Sequence, residues 1–208
     1  DGTKISLSPT HIKVLPGDSF TIDVSVSDVS TLNAWQVVVG YNGTTINCTS
    51  AWIPENNVFA GKACVSLPPD LIGQWIAGYN YTLIGCSLYS GTVSVSTGIL
   101  CRLNFTAQTF GLTQLQIATR ENRSEEPGHP MQYSILLDSD VQELPYVVQN
   151  GNVEVGDLQA LTLQTSEGGT TDPPAGTYKS AYGQNVVVTA IPATHYVAGI
   201  AVTTTFCP

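Results

Sequence analysis

Leu15-Pro-Gly-Asp-Ser-Phe-Thr-Ile-Asp-Val-Ser-Val26 is the stretch that decides the fold. Pro16-Gly17-Asp18 reads as a turn, because proline presets one backbone angle and glycine reaches conformations other residues avoid. After it, Phe20, Ile22, Val24 and Val26 fall on one side of an extended chain, and Thr21, Asp23, Ser25 and Ser27 fall on the other. Side chains alternate with a period of two along a strand. Such sustained alternation predicts a strand with one face against a core and the other against water.

The same pattern repeats outward from this stretch. Lys4–Ser8 and His11–Leu15 precede it. Trp35–Tyr41 follows, closed by Asn42-Gly43, a strong turn signal. Ile46–Trp52, Trp75–Tyr79, Tyr81–Leu88, Ile99–Ala107, Leu112–Ala118, Tyr133–Leu137 and Val147–Val155 are further strand candidates. No segment sustains the 3.6-residue apolar period of a helix. About nine or ten short strands over this length predict an all-β protein, an antiparallel jelly-roll or immunoglobulin-like β-sandwich. A boundary is expected near Val155-Gly156-Asp157, giving a sandwich over 1–156 and a small β domain over 157–208. In the second part, Leu158–Gln164, Val186–Ile191 and Tyr196–Thr205 read as strands, and Glu167–Tyr178 as a turn-rich connection. A piece of that size has a marginal core and is expected to lean on a neighbour.

Composition narrows the setting. Charged residues are 11% of the chain, against about a quarter in an ordinary soluble domain. The net charge is −9 with only seven Lys and Arg, which excludes nucleic acid as a natural partner. No apolar run approaches the roughly 18 residues that would cross a bilayer, so no transmembrane segment is expected. The chain opens at Asp1 without a basic-apolar leader, so a secretion signal is expected to have been removed if the protein is exported.

Five glycosylation sequons begin at Asn42, Asn47, Asn80, Asn104 and Asn122. Turn asparagines ahead of Ser/Thr-rich strands would also produce such triplets. The scarcity of charge favours the glycan reading, since attached sugar would hydrate the surface. Five cysteines are present, with no Cys-x-x-Cys pair to suggest zinc or redox chemistry. Cys48, Cys64, Cys86 and Cys101 fall in the first domain and allow three pairings; Cys48–Cys101 with Cys64–Cys86 is favoured, although sequence alone does not choose. Cys207 is left over, free or bonded to a neighbouring chain. Sequons and cysteines together point to a secreted or cell-surface protein.

No catalytic constellation is found. His11, His129 and His195 lack metal-ligand spacing, and no Gly-x-Ser-x-Gly elbow is present. Glu125-Glu126, Asp138/Asp140 and Asp18/Asp23 are the paired carboxylates available for glycoside hydrolysis, and the Glu pair reads as a solvated loop. Asp138-Ser-Asp140 is a candidate calcium ligand pair, the only cofactor expectation, although no twelve-residue EF-hand loop exists. Trp35, Trp52, Trp75, Tyr79, Tyr81 and Tyr89 could stack on sugars, but Trp35 and Trp75 sit in apolar strands and read as core.

The order of motifs resembles a cohesin domain. The carriers are the Pro16-Gly-Asp18 turn and its alternating strand, the strand ending Tyr41-Asn42, Gly98-Ile-Leu-Cys-Arg-Leu-Asn-Phe105, Gly111-Leu-Thr-Gln-Leu115, and Asn150-Gly-Asn-Val-Glu-Val155. The match runs over residues 2–156 and implies a nine-stranded jelly-roll whose relatives bind dockerins through one sheet face. The tail resembles part of a β-repeat of bacterial and archaeal surface proteins, carried by Gly168-Gly-Thr, Pro173-Pro, Gly176-Thr-Tyr178 and Val186–Pro192, and implies an archaeal surface protein. After Tyr196 that pattern is lost.

The function expected from these readings is a non-enzymatic, extracellular structural subunit that polymerises with copies of itself into a filament, sheath or surface layer. The expected device is β-strand addition, with the N-terminal strand or Tyr196–Phe206 as donor. The alternatives are a cohesin-type module binding a dockerin-like protein through a sheet face, or a carbohydrate-binding accessory.

Overall fold

The computed structural model describes the chain except residues 1, 77–78, 123–132, 157, 166, 182–184, 195–201 and 206–208. It divides into two compact units, Asp1–Val155 and Gly156–Pro208.

The first unit carries β1 (Lys4–Ser8), β2 (His11–Val14), β3 (Ser19–Leu32), β4 (Ala34–Asn42), β5 (Ile46–Trp52), β6 (Cys64–Ile76), β7 (Tyr79–Leu88), β8 (Val93–Ala107), β9 (Gly111–Ile117), β10 (Ile135–Leu137), β11 (Val147–Gln149) and β12 (Gly151–Val155). No helix occurs among the described residues. One sheet runs β11-β1-β3-β8-β5. The other runs β2-β12-β9-β4-β7-β6, with β10 added to β4. The first unit is therefore an all-β jelly-roll sandwich, as the alternation around Phe20–Val26 predicts.

Those alternating residues are the centre of the core. Ile22, Val24 and Val26 are fully buried beside Ile5 and Leu7 of β1 and Leu103 and Phe105 of β8. The opposite sheet contributes Trp35, Val37, Val39 and Tyr41 of β4, with Leu115, Ile117, Val153 and Val155. Phe105 is the meeting point. Its ring stacks on Phe20 at 5.6 Å and takes Tyr41 edge-on at 5.2 Å, both favourable aromatic geometries.

Two pairs of strands join the sheets. The N-terminal segment runs as β1 in one sheet and, after Ser8, as β2 in the other. The last segment does the same, β11 then β12. They run parallel throughout: Lys4–Ser6 beside Val147–Gln149, and His11–Val14 beside Asn152–Val155. At the crossing, Asn150 Oδ1 accepts a hydrogen bond from the Ile117 N–H at 2.9 Å.

Several strand limits differ from expectation. β6 runs through Pro68-Pro69, whereas the sequence suggested a strand only from Trp75. Proline cannot donate to a ladder, so it is confined to edges and bulges. β6 is an edge strand, and its register slips between Leu67 and Asp70. β8 begins at Val93 rather than Ile99, continuing its pairing with β3 past a bulge at Val24/Ser25. Val147–Val155 is two strands because it changes sheets at Asn150.

The second unit holds β13 (Leu158–Leu163), β14 (Gly169–Asp172), β15 (Gly176–Ala181), β16 (Asn185–Pro192) and β17 (Val202–Thr205). β13 pairs with β15, and β14-β16-β17 form a second small sheet. The stretch read as a turn-rich connection therefore contains β14 and the start of β15. Glycine and proline there mark strand ends: Tyr178 Oη donates to the Pro174 carbonyl at 2.6 Å and closes the turn.

Both expected donor strands are paired within their own unit. β1 is bonded on both sides, to β3 and β11. β17, the described part of the C-terminal candidate, is bonded to β16. The outer strands of the first unit's two sheets are short or irregular: β11 has three residues and β2 four, β5 has a register shift beside Cys48, and β6 carries Pro68-Pro69. Homopolymer formation by strand donation thus gains no support from this arrangement.

Candidate functional site

The two outer faces of the sandwich differ in chemistry. On the first sheet, β3, β8 and β5 present Ser19, Thr21, Asp23, Asn104, Thr106 and Thr49. These are knitted together: Thr21 Oγ1 donates to Asn104 Oδ1 at 3.3 Å, Asn104 Nδ2 donates to Thr49 Oγ1 at 3.0 Å, and Ser19 and Thr106 hydroxyls meet at 3.1 Å. Arg102 Nε contacts Asp23 Oδ1 at 2.9 Å. This face is a hydroxyl and amide lattice with little to offer an apolar partner.

The second sheet is the opposite. Its strands are aligned so that two rows of side chains lie across its outer surface. One row reads Leu137, Ala34, Ser87, Val65, and the next Ile135, Gln36, Gly85, Leu67, from β10 across β4 and β7 to β6. The residues between them, Leu136, Trp35, Cys86 and Ser66, belong to the inward phase. The outer rows form a trough of about 180 Å3. Its floor is built from small residues, Ala34, Gly85 and Ser87. One wall is Val65 and Leu67, each more than half exposed. The other is Ile135 and Leu137. Gly85 suits this shape: a Cβ there would stand 3.0 Å from the Trp35 carbonyl oxygen, a tight approach to a backbone atom of the neighbouring strand. From β10 to β6 is three strand spacings, about 14 Å. That is close to the 10–12 Å diameter of an α-helix with its side chains.

The β10 wall is braced from behind. Gln36 Nε2 donates to the Tyr133 carbonyl at 2.9 Å. Arg120 lies over the Tyr133 ring, 4.9 Å from its centre, and pairs with Glu143 at 2.6 Å. Tyr146 Oη donates to the Ser134 carbonyl. Burial, then the nearby Glu143 carboxylate, pushes the Tyr146 hydroxyl up to about 12. Beside the trough, Val38, Tyr81 and Ala118 make a second buried apolar cluster on the same face, with Leu83 and Tyr133 packed on it. This explains why Val37-Val38-Val39 does not alternate with polar residues: both faces of β4 are covered there.

The residues singled out from the sequence are scattered relative to this trough. Asn47 and Asn104 project from the polar face of the first sheet. Asn42 and Asn80 lie at the far end of the β4–β7 pair, where Asn42 Oδ1 accepts from the Thr44 N–H at 2.9 Å and the Asn80 amide packs over Gly43. Asn122 sits in the turn after β9, and its Nδ2 donates to the Ile117 carbonyl at 3.0 Å. Trp35 is core, with its indole nitrogen buried and unpartnered. Trp52, Tyr79 and Tyr89 are exposed on different elements and form no common platform, while Tyr81 is buried. The Trp75 side chain, His129, His195, Glu125, Glu126 and Cys207 lie outside the described residues.

Two of the candidate carboxylates serve the backbone. Asp18 Oδ2 accepts from the Leu15 N–H at 2.9 Å and closes the opening turn. Asp138 Oδ1, half of the candidate calcium pair, accepts from the N–H groups of Asp140 and Gln142, each at 2.9 Å. No group of three metal-ligating residues occurs among the described residues.

The four described cysteines are free thiols. Cys64 and Cys86 line one cleft together. Cys48 stands opposite Phe105, four residues along β8 from Cys101. Four residues of strand span about 13 Å, and a disulfide needs Cα atoms within about 7 Å. The favoured Cys48–Cys101 pairing is therefore not in bonding register.

No family model matches the sequence, and no curated protein matches it. Solved structures do, through their fold. A type II cohesin domain from the cellulosome of Acetivibrio cellulolyticus superposes with a TM-score of 0.54 at 10% identity, covering 74% of this chain and 95% of that one. The third ScaC cohesin of the same organism, solved in complex with the ScaB dockerin, gives 0.52 at 10% identity, covering 74% and 98%. A non-cellulosomal cohesin from the archaeon Archaeoglobus fulgidus gives 0.51 at 11% identity, covering 76% and 93%. The chain thus contains a cohesin-like jelly-roll, the fold its motif order resembles.

Proposed function

We propose that this chain is a non-catalytic, extracellular protein-recognition module that captures a helical, dockerin-like partner in the trough on its second sheet. The carrying observation is the trough itself: a helix-wide, apolar depression with a small-residue floor, on one face of a cohesin-like sandwich. One of the similar cohesins was solved with a dockerin whose C-terminal helix carries a mutation, so a helical element belongs to that kind of partner. Val65 and Leu67 are exposed apolar side chains able to gain by burial, at about 25 cal/mol per Å2. The acidic chain, net −9, favours a partner with basic residues flanking its apolar stripe.

Three of the five sequons fit the same reading. Asn47 and Asn104 lie on the opposite face, and Asn42 lies at the other end of β4 from Ala34 and Gln36. Glycans there would hydrate the polar surface and leave the trough clear.

The test is titration calorimetry of the intact protein against a panel of dockerins, with Leu67→Asp and Val65→Asp on the trough and Thr49→Asp on the polar face. A charge placed in a desolvated contact costs about 2 kcal/mol or more, so each trough variant should bind at least about 30-fold more weakly, and Thr49→Asp should bind as the parent does. Equal binding by all variants, or loss confined to Thr49→Asp, would sink the assignment. Sedimentation of the protein alone in the same buffers reads self-association directly.

A further inference from the structure

Cys64 opens the edge strand β6, and Cys86 lies near the end of β7. In the register of these strands Cys64 faces Leu88 and Cys86 faces Ser66, so the two cysteines are diagonal neighbours on the inward phase. The right-handed twist of a strand pair shortens one of its two diagonals, and diagonal side chains on the same face of neighbouring strands lie within reach of each other. Both line a cleft of about 350 Å3 between β5 and β6, together with Trp52, Ile53, Pro68 and Ile84. Cys86 is buried, whereas Cys64 is partly exposed. The pair therefore combines proximity in one cleft with access from solvent, which the buried Cys48 and Cys101 lack.

We propose that Cys64 and Cys86 are a disulfide-forming pair that staples the edge strand to the sheet beneath the trough. The edge needs such a fastening. β6 is interrupted by Pro68-Pro69, and its ladder slips register between Leu67 and Asp70, between Asp70 and Gly73, and between Gln74 and Ile76. Val65 and Leu67, the exposed wall of the trough, lie next to Cys64. A bond from Cys64 to Cys86 holds that wall at a fixed distance from the floor residues Gly85 and Ser87.

The chemistry is thiol–disulfide exchange with a small external disulfide such as oxidised glutathione. The Cys64 thiolate attacks one sulfur of the oxidant, forming a mixed disulfide and releasing one glutathione thiolate. The Cys86 thiolate then attacks the Cys64 sulfur, the protein disulfide forms, and the second glutathione thiolate leaves. Two protein thiols are oxidised and one glutathione disulfide is reduced to two thiols, the protons passing to solvent and the leaving thiolates. The order follows from environment. Burial, reinforced by the neighbouring Cys64, pushes the Cys86 thiol up to about 12, which keeps it protonated and disfavours it as the first attacker.

The experiment uses the whole chain, first reduced, then incubated with oxidised glutathione, alkylated with iodoacetamide in denaturant and mapped by mass spectrometry. The expected product is a Cys64–Cys86 linked peptide with Cys48 and Cys101 alkylated. Alkylation of both Cys64 and Cys86 after oxidation, or a link from either to another cysteine, overturns the proposal. A second readout needs no digestion. Oxidation should raise Tm by roughly 5–10 °C for a loop of this length, and the rise should be absent in Cys64→Ser. An equal rise in Cys64→Ser overturns it. Neither readout depends on what the trough binds.

Discussion

Replacing Tyr41 by Phe tests how the edge strand β6 is tied to the sandwich. Tyr41 is fully buried, and its Oη donates to the Leu71 carbonyl at 3.1 Å and accepts from the Cys48 N–H at 3.4 Å. One hydroxyl thereby links β4 to β6 and to β5 of the opposite sheet. Leu71 needs this donor because it lies between Asp70 and Gly73, where the β6–β7 ladder slips and no partner residue faces it. Thr82 Oγ1 supplies a second donor to the same carbonyl at 3.3 Å. In Tyr41→Phe the ring and its edge-on contact with Phe105 remain, the carbonyl keeps Thr82, and only the long Cys48 contact is lost outright. The cost should fall at about 1–2 kcal/mol, that of a buried hydrogen bond without a full orphan. In Tyr41→Phe with Thr82→Val the carbonyl loses both side-chain donors, so the double variant should exceed the sum of the singles by about 1 kcal/mol. Urea denaturation followed by tryptophan fluorescence reads the first unit, since Trp35, Trp52 and Trp75 all lie within it. With a urea slope of about 2 kcal/mol/M, the midpoint should drop by roughly 0.5–1 M for Tyr41→Phe. A shift of Tyr41→Phe below about 0.2 M, or strict additivity in the double variant, would refute the reasoning.

Other outcomes follow from the same contacts. Phe105→Ala removes the ring on which Phe20 and Tyr41 pack and should lower stability by about 3–5 kcal/mol, measured in the same titration. Lys13 and Glu154 meet at 3.0 Å across β2 and β12 but are both largely exposed, so Lys13→Ala should change the unfolding free energy by less than about 0.5 kcal/mol. Burial raises the folded-state values of Cys86, Cys101, Cys48, Tyr41 and Tyr146. A weak acid raised by folding keeps its contribution below its unfolded value and loses it as pH climbs toward the folded one. The reduced protein should therefore hold its urea midpoint up to about pH 8 and lose stability above about pH 9, by up to ~1.4 kcal/mol per pH unit for each such group; a midpoint that rises between pH 9 and 10.5 would contradict this.

The sandwich was legible wherever one face is wet. Phe20–Val26 alternates because Thr21, Asp23 and Ser25 meet solvent or the hydroxyl lattice. Legibility failed where a strand is covered on both sides or sits at an edge. Val37-Val38-Val39 carries no phase, so the outer cluster around Val38 left no pattern to read. β6 was hidden by Pro68-Pro69, which signal a break in an interior strand but are tolerated on a rim. That concealment extends to the trough, because Val65 and Leu67 alternate for only two steps before the prolines, and the partner residues Gly85 and Ala34 matter by being small. Their significance exists only in the register that aligns four strands. The sequons and cysteines were visible as residue types, but the placing of the cysteines depends on that register too: it sets Cys64 diagonal to Cys86 and leaves Cys48 out of step with Cys101.

The parallel course of the first and last strands has a mechanical consequence. The chain enters the sandwich ahead of β1 and leaves it after β12, and these segments lie side by side pointing the same way. Tension applied between Lys4 and Val155 pulls neighbouring strands toward opposite poles, so the backbone bonds joining β1 to β11 and β2 to β12 are loaded together, along their sliding direction, instead of being peeled one after another. A module that must hold a tethered load while its ends are drawn apart is well served by that layout.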